Sequence, residues 1–477
     1  MPPKPTPSPC THPHVLTTPH PSTPFSRVPP SRRAAAATAT GIHKTGITDT
    51  ILHNFASDEE FASTFPGPLV LDGDDLAIEP KQTGQTFRGW ERGKHRNLVE
   101  GEGVGARRII YVMGPPGVDG EGVEGFMRGW SECEVEGGGK GKRGKGVEWE
   151  TNNWISDVIS YLQAFYHGLP VKQMDPSLLH FTPWEDTSPN PSKSRSSSRK
   201  KNPTYISLRT STFKTGIRYR CTPSAPFSHQ LNLSDLLDLA IDILPPDAYA
   251  LLILVNHDLY EDDDDEFICG RAYGGSRVAV VSTARYNPVL DEVQGIERIH
   301  GWPGSHCAEY MNDACNIKKS KAGKRKRIDD ENFAIKESPL VHAIAQQNTL
   351  PPLSSHLPKD TLQELYLSRL CRIASHELGH CFGIAHCVYY ACSMQGSASI
   401  IEDARQPPYL CPVDLGKVVT ATGTDVRGRY KALLRFCEEH GGAHMFLAFG
   451  AWIRARLAQM ERVDVGKGEA CGVGLEG

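Results

Sequence analysis

The 477-residue sequence has no run of 18 or more apolar residues, which excludes an ordinary membrane-spanning helix. The first 41 residues have no apolar stretch such as a secretory signal contains, so we expect a protein that is not secreted. The net charge is only -4, and no overall charge excess favours nucleic acid or an anionic membrane. We therefore expect an intracellular, cytoplasmic monomer that binds neither nucleic acid nor membranes.

The cysteine count also excludes one class of protein. Thirteen is an odd number, and without a secretory signal it argues against a disulfide framework. In a reducing compartment, cysteines that cluster with histidines indicate metal binding rather than disulfides. Four of the thirteen lie within about thirty residues, close to three histidines: Cys381, Cys387, Cys392 and Cys411.

Low-complexity stretches limit the folded part of the chain. Gly (45) and Pro (35) are abundant and concentrated in such stretches. We expect one domain over residues 61–465 between a disordered proline-rich tail (1–60) and a flexible C-terminus (466–477). Flexible insertions are expected near 114–148, 186–203 and 317–332.

Two of these segments allow a second interpretation. The acid-free N-terminal residues weakly resemble a mitochondrial transit peptide, but their proline density favours a disordered tail. The basic run Lys318–Arg327 fits a nuclear localisation signal and a solvated loop equally well.

Strand-like and helix-like segments alternate along the rest of the chain. Apolar runs predict strands within Arg107–Pro116 and Tyr249–Tyr260, and helical periodicity predicts helices after Asn153 and after Asn232. A further strand is expected over Arg277–Arg285. This alternation favours an α+β fold of α/β-like type, with a twisted, mostly parallel sheet. A long helix that ends near Gly383 and two C-terminal helices complete the predicted fold.

The long helix carries the motif with the clearest chemistry. His376 and His380 are four residues apart, which places both rings on one helical face within reach of one metal ion. Glu377 is offset around the helix and reaches a water beside the ion rather than the ion itself. Two histidines and a glutamate at this spacing are typical of zinc hydrolases.

Gly383 and His386 extend the motif. A glycine three residues after His380 can end the helix and turn the chain, because it has no Cβ. A sharp turn there would bring His386 back as a third ligand. The extended pattern is far more specific than two histidines and a glutamate alone, and it predicts a catalytic zinc site with Glu377 as general base.

From His376 the sequence reads H-E-x-x-H-x-x-G-x-x-H-C-x4-C-x-M and, sixteen residues later, C-P-V-D. This pattern resembles the archaemetzincins, zinc metallopeptidases of the metzincin clan. The resemblance implies a metzincin-type zincin fold whose sheet has an antiparallel edge strand. It also implies that Met394 forms a Met-turn below the zinc, and that a second, structural zinc is bound by four cysteines.

The chain departs from the family at one of those four positions. Where the family has a cysteine, this sequence has Asp414, after Cys387, Cys392 and Cys411. Asp414 can bind zinc through oxygen, and we favour that interpretation. Alternatively Cys437 or Cys381 replaces it, or the second site is weak or empty. Three thiolates and a carboxylate exceed the charge of zinc, so nearby Lys417 or a backbone amide would help.

The resemblance also implies that substrate pairs in extended form with an edge strand above the zinc. We expect that edge in the segment Gly274–Arg285, with Gly274, Gly275 and Ser276 close to the substrate, although a central strand fits the segment equally well. The acidic run Glu261–Glu266 would attract a basic peptide, but a solvated loop explains it better.

We thus expect a zinc metallopeptidase with one catalytic and one structural zinc, acting on peptide or protein substrates. Its specificity would be narrow and aminopeptidase-like. The alternative is a metal-stabilised interaction module with a vestigial hydrolytic site. The retained Glu377 and His386 argue against that alternative, because a scaffold needs no general base.

Overall fold

The computed structural model describes residues 25–42, 55, 58–94, 96–101, 103, 105–133, 154–184, 204–224, 226–305, 338–353 and 357–472, with 465–472 described by their backbone alone. The predicted mixed α/β class is confirmed over these residues. The predicted insertions 186–203 and 317–332, the cap Asn153 and the basic run Lys318–Arg327 lie outside them. No helix in the described ranges is long and apolar enough to cross a membrane.

The α-helices are numbered here in chain order. They are α1 (Pro30–Ala36), α2 (Asp58–Thr64), α3 (Asp75–Ile78), α4 (Phe87–Glu91), α5 (Glu121–Met127), α6 (Trp154–Phe165), α7 (Leu233–Asp242), α8 (Pro339–Gln347), α9 (Lys359–Cys381), α10 (Ile400–Arg405), α11 (Pro412–Thr422), α12 (Val426–Glu439) and α13 (His444–Gly472).

The strands form two sheets. They are β1 (Ile109–Met113), β2 (Gly117–Val118), β3 (Val171–Gln173), β4 (His180–Thr182), β5 (Thr204–Arg209), β6 (Lys214–Cys221), β7 (His229–Asn232), β8 (Ala248–Val255), β9 (Asp258–Tyr260), β10 (Gly270–Tyr273) and β11 (Val278–Ser282). The first sheet has the order β10-β11-β8-β1-β3, and the second has the order β2-β4-β5-β6-β7-β9.

The described residues divide into two compact units. The sequence predicted one domain over 61–465. The sheet unit comprises residues 97–294 and 358–383, and it contains both sheets with α5, α6, α7 and α9. The helical unit comprises the residues before 97, between 295 and 357 and after 383, and it contains the other helices. Distant parts of the chain meet within the helical unit, as where the amide of Ala391 donates to the carbonyl of Pro66 (3.0 Å).

The first sheet is parallel except at one edge. Strands β11, β8, β1 and β3 run parallel, and β10 pairs antiparallel with β11. All eight residues of β8 are buried, because this strand lies between β11 and β1. Burial on both faces explains its continuous apolar sequence.

Buried polar contacts fix α9 within the sheet unit. The hydroxyl of Tyr166 donates to the carbonyl of Ser375 (2.5 Å), one residue before the zinc motif. Arg369 donates from both terminal nitrogens to the carboxylate of Asp291 (2.7 and 2.9 Å). Paired, bidentate contacts of this kind restrict both the rotation and the translation of the helix.

The structure corrects the predicted substrate strand. Strand β11, expected to form an edge, pairs with β10 on one side and β8 on the other. Gly274, Gly275 and Ser276 form a short 3-10 turn between β10 and β11. The edge strand on this side of the sheet is β10. Apolar patterning could not reveal this, because edge and central strands share their propensities.

Some segments predicted to be irregular contain regular structure. Helix α1 lies within the predicted tail and α2 begins in it, while β2 and α5 lie in the predicted insertion 114–148. Helix α13 also extends into the predicted flexible C-terminus. Helix α5 illustrates the reason, since it is glycine-rich yet buries Val123 and Met127 in the sheet-unit core.

Candidate metal centres

The first pair of candidate ligands lies on the last turns of α9. The Nε2 atoms of His376 and His380 are 3.2 Å apart. In a tetrahedral zinc site with Zn–N bonds of about 2.0–2.1 Å, neighbouring nitrogens are about 3.3–3.4 Å apart. The two rings therefore already have the spacing that a shared zinc ion requires.

Helix α9 ends as the sequence predicts. The amides of Phe382 and Gly383 donate to the carbonyls of Gly379 and His380 (3.0 and 2.9 Å), which closes the last turn. Gly383 has φ +72°, a left-handed conformation that a residue with a Cβ adopts only at a cost. The chain can therefore turn sharply between His380 and His386.

His386 follows this turn. It lies three residues after Gly383 and belongs to the helical unit, whereas His376 and His380 belong to the sheet unit. Burial lowers the pKa of His386, and the neighbouring charge of Asp75 opposes that shift. A depressed pKa keeps the imidazole neutral, which is the form that binds a metal.

Glu377 is buried with only 6% of its surface exposed. A Cβ placed on Gly270 would lie 3.3 Å from Cγ of Glu377, so this carboxylate side chain lies against the start of the edge strand β10. Within the sheet unit, the predicted general base is thus next to β10, whose outer edge pairs with no strand among the described residues.

Asn97 joins the helix end to the turn before β11, and no sequence pattern predicted this role. Its side-chain amide donates to the carbonyls of Gly274 and Cys381 (both 2.6 Å). A Cβ on Gly274 would lie 2.5 Å from the carbonyl oxygen of His380. The sequence predicted a close backbone approach at Gly274, and the structure shows that Gly274 approaches the backbone of α9.

The second group of candidate ligands lies entirely within the helical unit. Cys387, Cys392, Cys411 and Asp414 are buried, and one ligand atom from each lies within 4.8 Å of the others. Sγ of Cys387 is 3.6 Å from Sγ of Cys411, and Oδ2 of Asp414 is 3.3 Å from Sγ of Cys392. A tetrahedron with Zn–S bonds of about 2.3 Å has edges of about 3.8 Å, and edges that involve oxygen are shorter. The donor set and its spacing fit zinc.

Backbone groups stabilise negative charge on the sulfurs. Sγ of Cys392 accepts from the amides of Cys411 (3.2 Å) and Met394 (3.5 Å). Cys411 caps helix α11 and Asp414 lies in its first turn, where the helix dipole favours anions. The amide of Cys387 donates to the carbonyl of Met394 (2.7 Å), so the predicted Met-turn residue is bonded directly to this group.

Lys417 supplies the countercharge that the sequence suggested. Its Nζ donates to Oδ1 of Asp414 (2.8 Å) and to both the carbonyl and side-chain oxygens of Gln85 (3.0 and 2.9 Å). Both ends of the ion pair are only 1% exposed. Gln85 Oε1 also accepts from the amide of Ala385 (3.1 Å), and this link to the residue before His386 was not evident from the sequence.

The four candidate ligands affect one another's pKa values. Burial raises the pKa of Asp414 to about 6, although Lys417 opposes the shift. Burial also raises the pKa values of Cys392 and Cys411, whereas thiol hydrogen bonds from these two overcome burial and lower the pKa of Cys387. Without a cation the site cannot hold four negative ligands, and a divalent ion would remove that obstacle.

The alternative cysteines do not belong to this group. Cys437 and Cys381 are buried, and burial raises both of their pKa values. The thiol of Cys381 instead approaches the carbonyl of Glu377 on its own helix (3.9 Å). Among the described residues, Asp414 is thus the fourth candidate ligand.

Comparison with known proteins identifies the same segment. Residues 354–418 match the model of Peptidase family M54, and this range contains both candidate ligand groups. The chain is 29% identical to Archaemetzincin-2 of Homo sapiens over 210 residues, 44% of this chain and 47% of that protein. It is 25% identical to Archaemetzincin-2 of Pongo abelii over 289 residues, 61% of this chain and 59% of that protein. These matches confirm the predicted resemblance to archaemetzincins, and the chain spans about half the length of the curated relatives it matches.

Two solved structures are also similar to this chain at a low level. The crystal structure of an archaemetzincin from Methanopyrus kandleri covers 66% of this chain and 95% of its own, with 15% identity and a TM-score of 0.30. That of a zinc-dependent peptidase from Methanocorpusculum labreanum covers 65% and 99%, with 16% identity and a TM-score of 0.28.

Proposed function

We propose that this protein, similar to archaemetzincins through its M54 segment, is a zinc-dependent metallopeptidase that hydrolyses peptide bonds. One observation carries the proposal. His376 and His380 hold two ring nitrogens 3.2 Å apart, with Glu377 between them in sequence, inside the segment that matches Peptidase family M54. That spacing suits a shared zinc ion, and the glutamate gives such a site a base.

His376, His380 and His386 are the residues that would hold the catalytic ion. Zinc bound by three neutral imidazoles supplies a Lewis acid, which lowers the pKa of water to about 7 and polarises a carbonyl. Glu377 accepts a proton from the attacking water and delivers it to the leaving amine. This assignment needs no covalent intermediate on the protein.

The substrate would bind along β10. Strand β11 occupies one side of β10, and within the described ranges no strand pairs with its other side. An extended peptide can add to such an edge through backbone hydrogen bonds. Glu377 lies against Gly270 at the start of this strand, so a peptide paired there would pass close to the base. A narrow, aminopeptidase-like specificity belongs to the same proposal.

Cys387, Cys392, Cys411 and Asp414 would hold a second, structural zinc. Met394 is bonded to Cys387 and Cys392 through its backbone, so the ion would fix the segment that follows His386. The free energy of metal binding would then stabilise the fold around the third histidine. Met394 would serve as the apolar Met-turn below the catalytic ion.

Cleavage of a peptide library tests the proposal. The wild-type chain, Glu377→Gln and Asp360→Asn would be compared after identical purification with zinc. Asp360 is a matched control, because it is an exposed acid in the first turn of the same helix. We expect cleavage by the wild type and the control, and a loss of about 100-fold or more in Glu377→Gln.

Two outcomes would contradict the proposal. Equal cleavage by Glu377→Gln and the wild type would assign the activity to a contaminant. A wild-type chain that binds zinc at the histidines and cleaves no peptide would favour the alternative, a metal-stabilised interaction module.

A further inference from the structure

Asp75 begins helix α3 in the helical unit, far from the zinc motif in sequence. A Cβ placed on Gly396 would lie 2.5 Å from Oδ2 of Asp75 and 2.9 Å from Nδ1 of His386. The carboxylate oxygen and the ring nitrogen therefore border the same small space. That space exists because residue 396 has no side chain.

The position of Asp75 is fixed by its backbone. Its amide donates to Oε2 of Glu402 (2.9 Å), and the same oxygen accepts from the amide of Ala398 (2.7 Å). Glu402 thus ties the start of α3 to the segment just after Gly396. The side chain of Asp75 is held beside His386 by contacts that do not use its own carboxylate.

One oxygen of the Asp75 carboxylate lacks a hydrogen-bond donor among the described residues. Oδ2 of Asp75 is buried and accepts no hydrogen bond from any residue that the structure describes. A buried acceptor without a donor is unfavourable, because it has lost its hydrogen bonds to water. The nearby ring nitrogen of His386 is a donor of the right kind when that nitrogen carries the proton.

We propose that Asp75 is a positioning residue that accepts a hydrogen bond from Nδ1–H of His386 when zinc is bound. This inference rests on the proposed function, because it takes His386 as a zinc ligand. The bond fixes the tautomer and the orientation of the ring, and it leaves the other nitrogen for the metal. Histidine ligands of zinc commonly donate their second N–H to a carboxylate, and loss of that partner weakens binding about 10–100-fold.

Competition with a chelator tests the inference on the full chain, with zinc affinity as the readout. The ion lost in His380→Ala identifies the histidine site. We expect Asp75→Ala to weaken zinc at that site by about 10–100-fold and Asp75→Asn to weaken it less, because the amide oxygen still accepts. Affinity at the cysteine site should stay unchanged, and so should the thermal midpoint measured with the histidine site empty. Asp72→Asn, an exposed acid three residues earlier, is the control and should bind like the wild type.

Gly396→Ala perturbs the same contact from the other side. Its methyl group would enter the space between the two atoms, so we expect a selective loss at the histidine site here as well. Wild-type affinity in Asp75→Ala would overturn the inference, as would an equal loss at both sites, which marks a purely structural role. A wild-type chain without the His380-dependent ion would instead overturn the proposed function.

Discussion

Lys417 is the residue whose removal should show most clearly how the second site tolerates an aspartate. Its Nζ is buried, bonds Asp414 at 2.8 Å and donates twice to Gln85. In Lys417→Met the side chain keeps its length and loses its charge and all three hydrogen bonds. Asp414 would then lose its lysine partner, and two oxygens of Gln85 would lose a donor.

The magnitude follows from the burial of the pair. Breaking a buried ion pair by removing one partner costs about 3–5 kcal/mol, mainly because the remaining charge stays desolvated. Asp414→Asn leaves Lys417 buried in the same way. Once either charge is gone, removal of the other should cost much less. The double variant should therefore lose at least about 1 kcal/mol less than the sum of the two single losses.

Urea unfolding at a fixed concentration of free zinc measures these free energies for the wild type, both single variants and the double variant. Lys431→Met, an exposed lysine on α12, serves as the control and should change stability by less than about 0.5 kcal/mol. A Lys417→Met protein as stable as the control would show that the ion pair does not stabilise the fold. So would two single losses that simply add.

Two further predictions concern backbone conformation and pH. Gly383→Ala should lower the free energy of unfolding by about 1 kcal/mol or more, because residue 383 has φ +72°. Gly442→Ala is the control and should have little effect, because this glycine lies in open space and has no positive φ. Equal urea midpoints for the two variants would contradict this prediction. Burial, reinforced by Asp74, raises the pKa of Glu402 to about 8 from 4.5, so the native state holds a proton that the unfolded chain releases. The stability that this proton contributes is lost as the pH rises from about 4.5 to about 8. Glu402→Gln should therefore gain thermal stability relative to the wild type between pH 5 and pH 8, and a constant difference in midpoint would count against this assignment.

Local sequence spacing predicted the parts of the site that lie on one element. His376 and His380 meet because an α-helix repeats every 3.6 residues, and Gly383 ends that helix because glycine adopts the left-handed conformation there without strain. Strand β8 was equally predictable, since a strand buried on both faces is apolar at every position.

Residues brought in from distant segments could not be predicted in the same way. Asn97 bonds a carbonyl 284 positions later, and Lys417 bonds Gln85 across 332 positions. No periodicity connects such residues, because their contacts depend on how the elements pack. The edge position of β10 was missed for a related reason: strand order is a tertiary property, and β-propensity does not encode it.

The central claim is that two separable zinc sites lie within forty residues of one chain, one formed by histidines and one by cysteines with Asp414. Elemental analysis of the purified chain tests it most directly, alongside His380→Ala and Cys387→Ser. We expect two zinc ions in the wild type and one in each variant. A wild-type chain without zinc, or variants that both keep two ions, would contradict it.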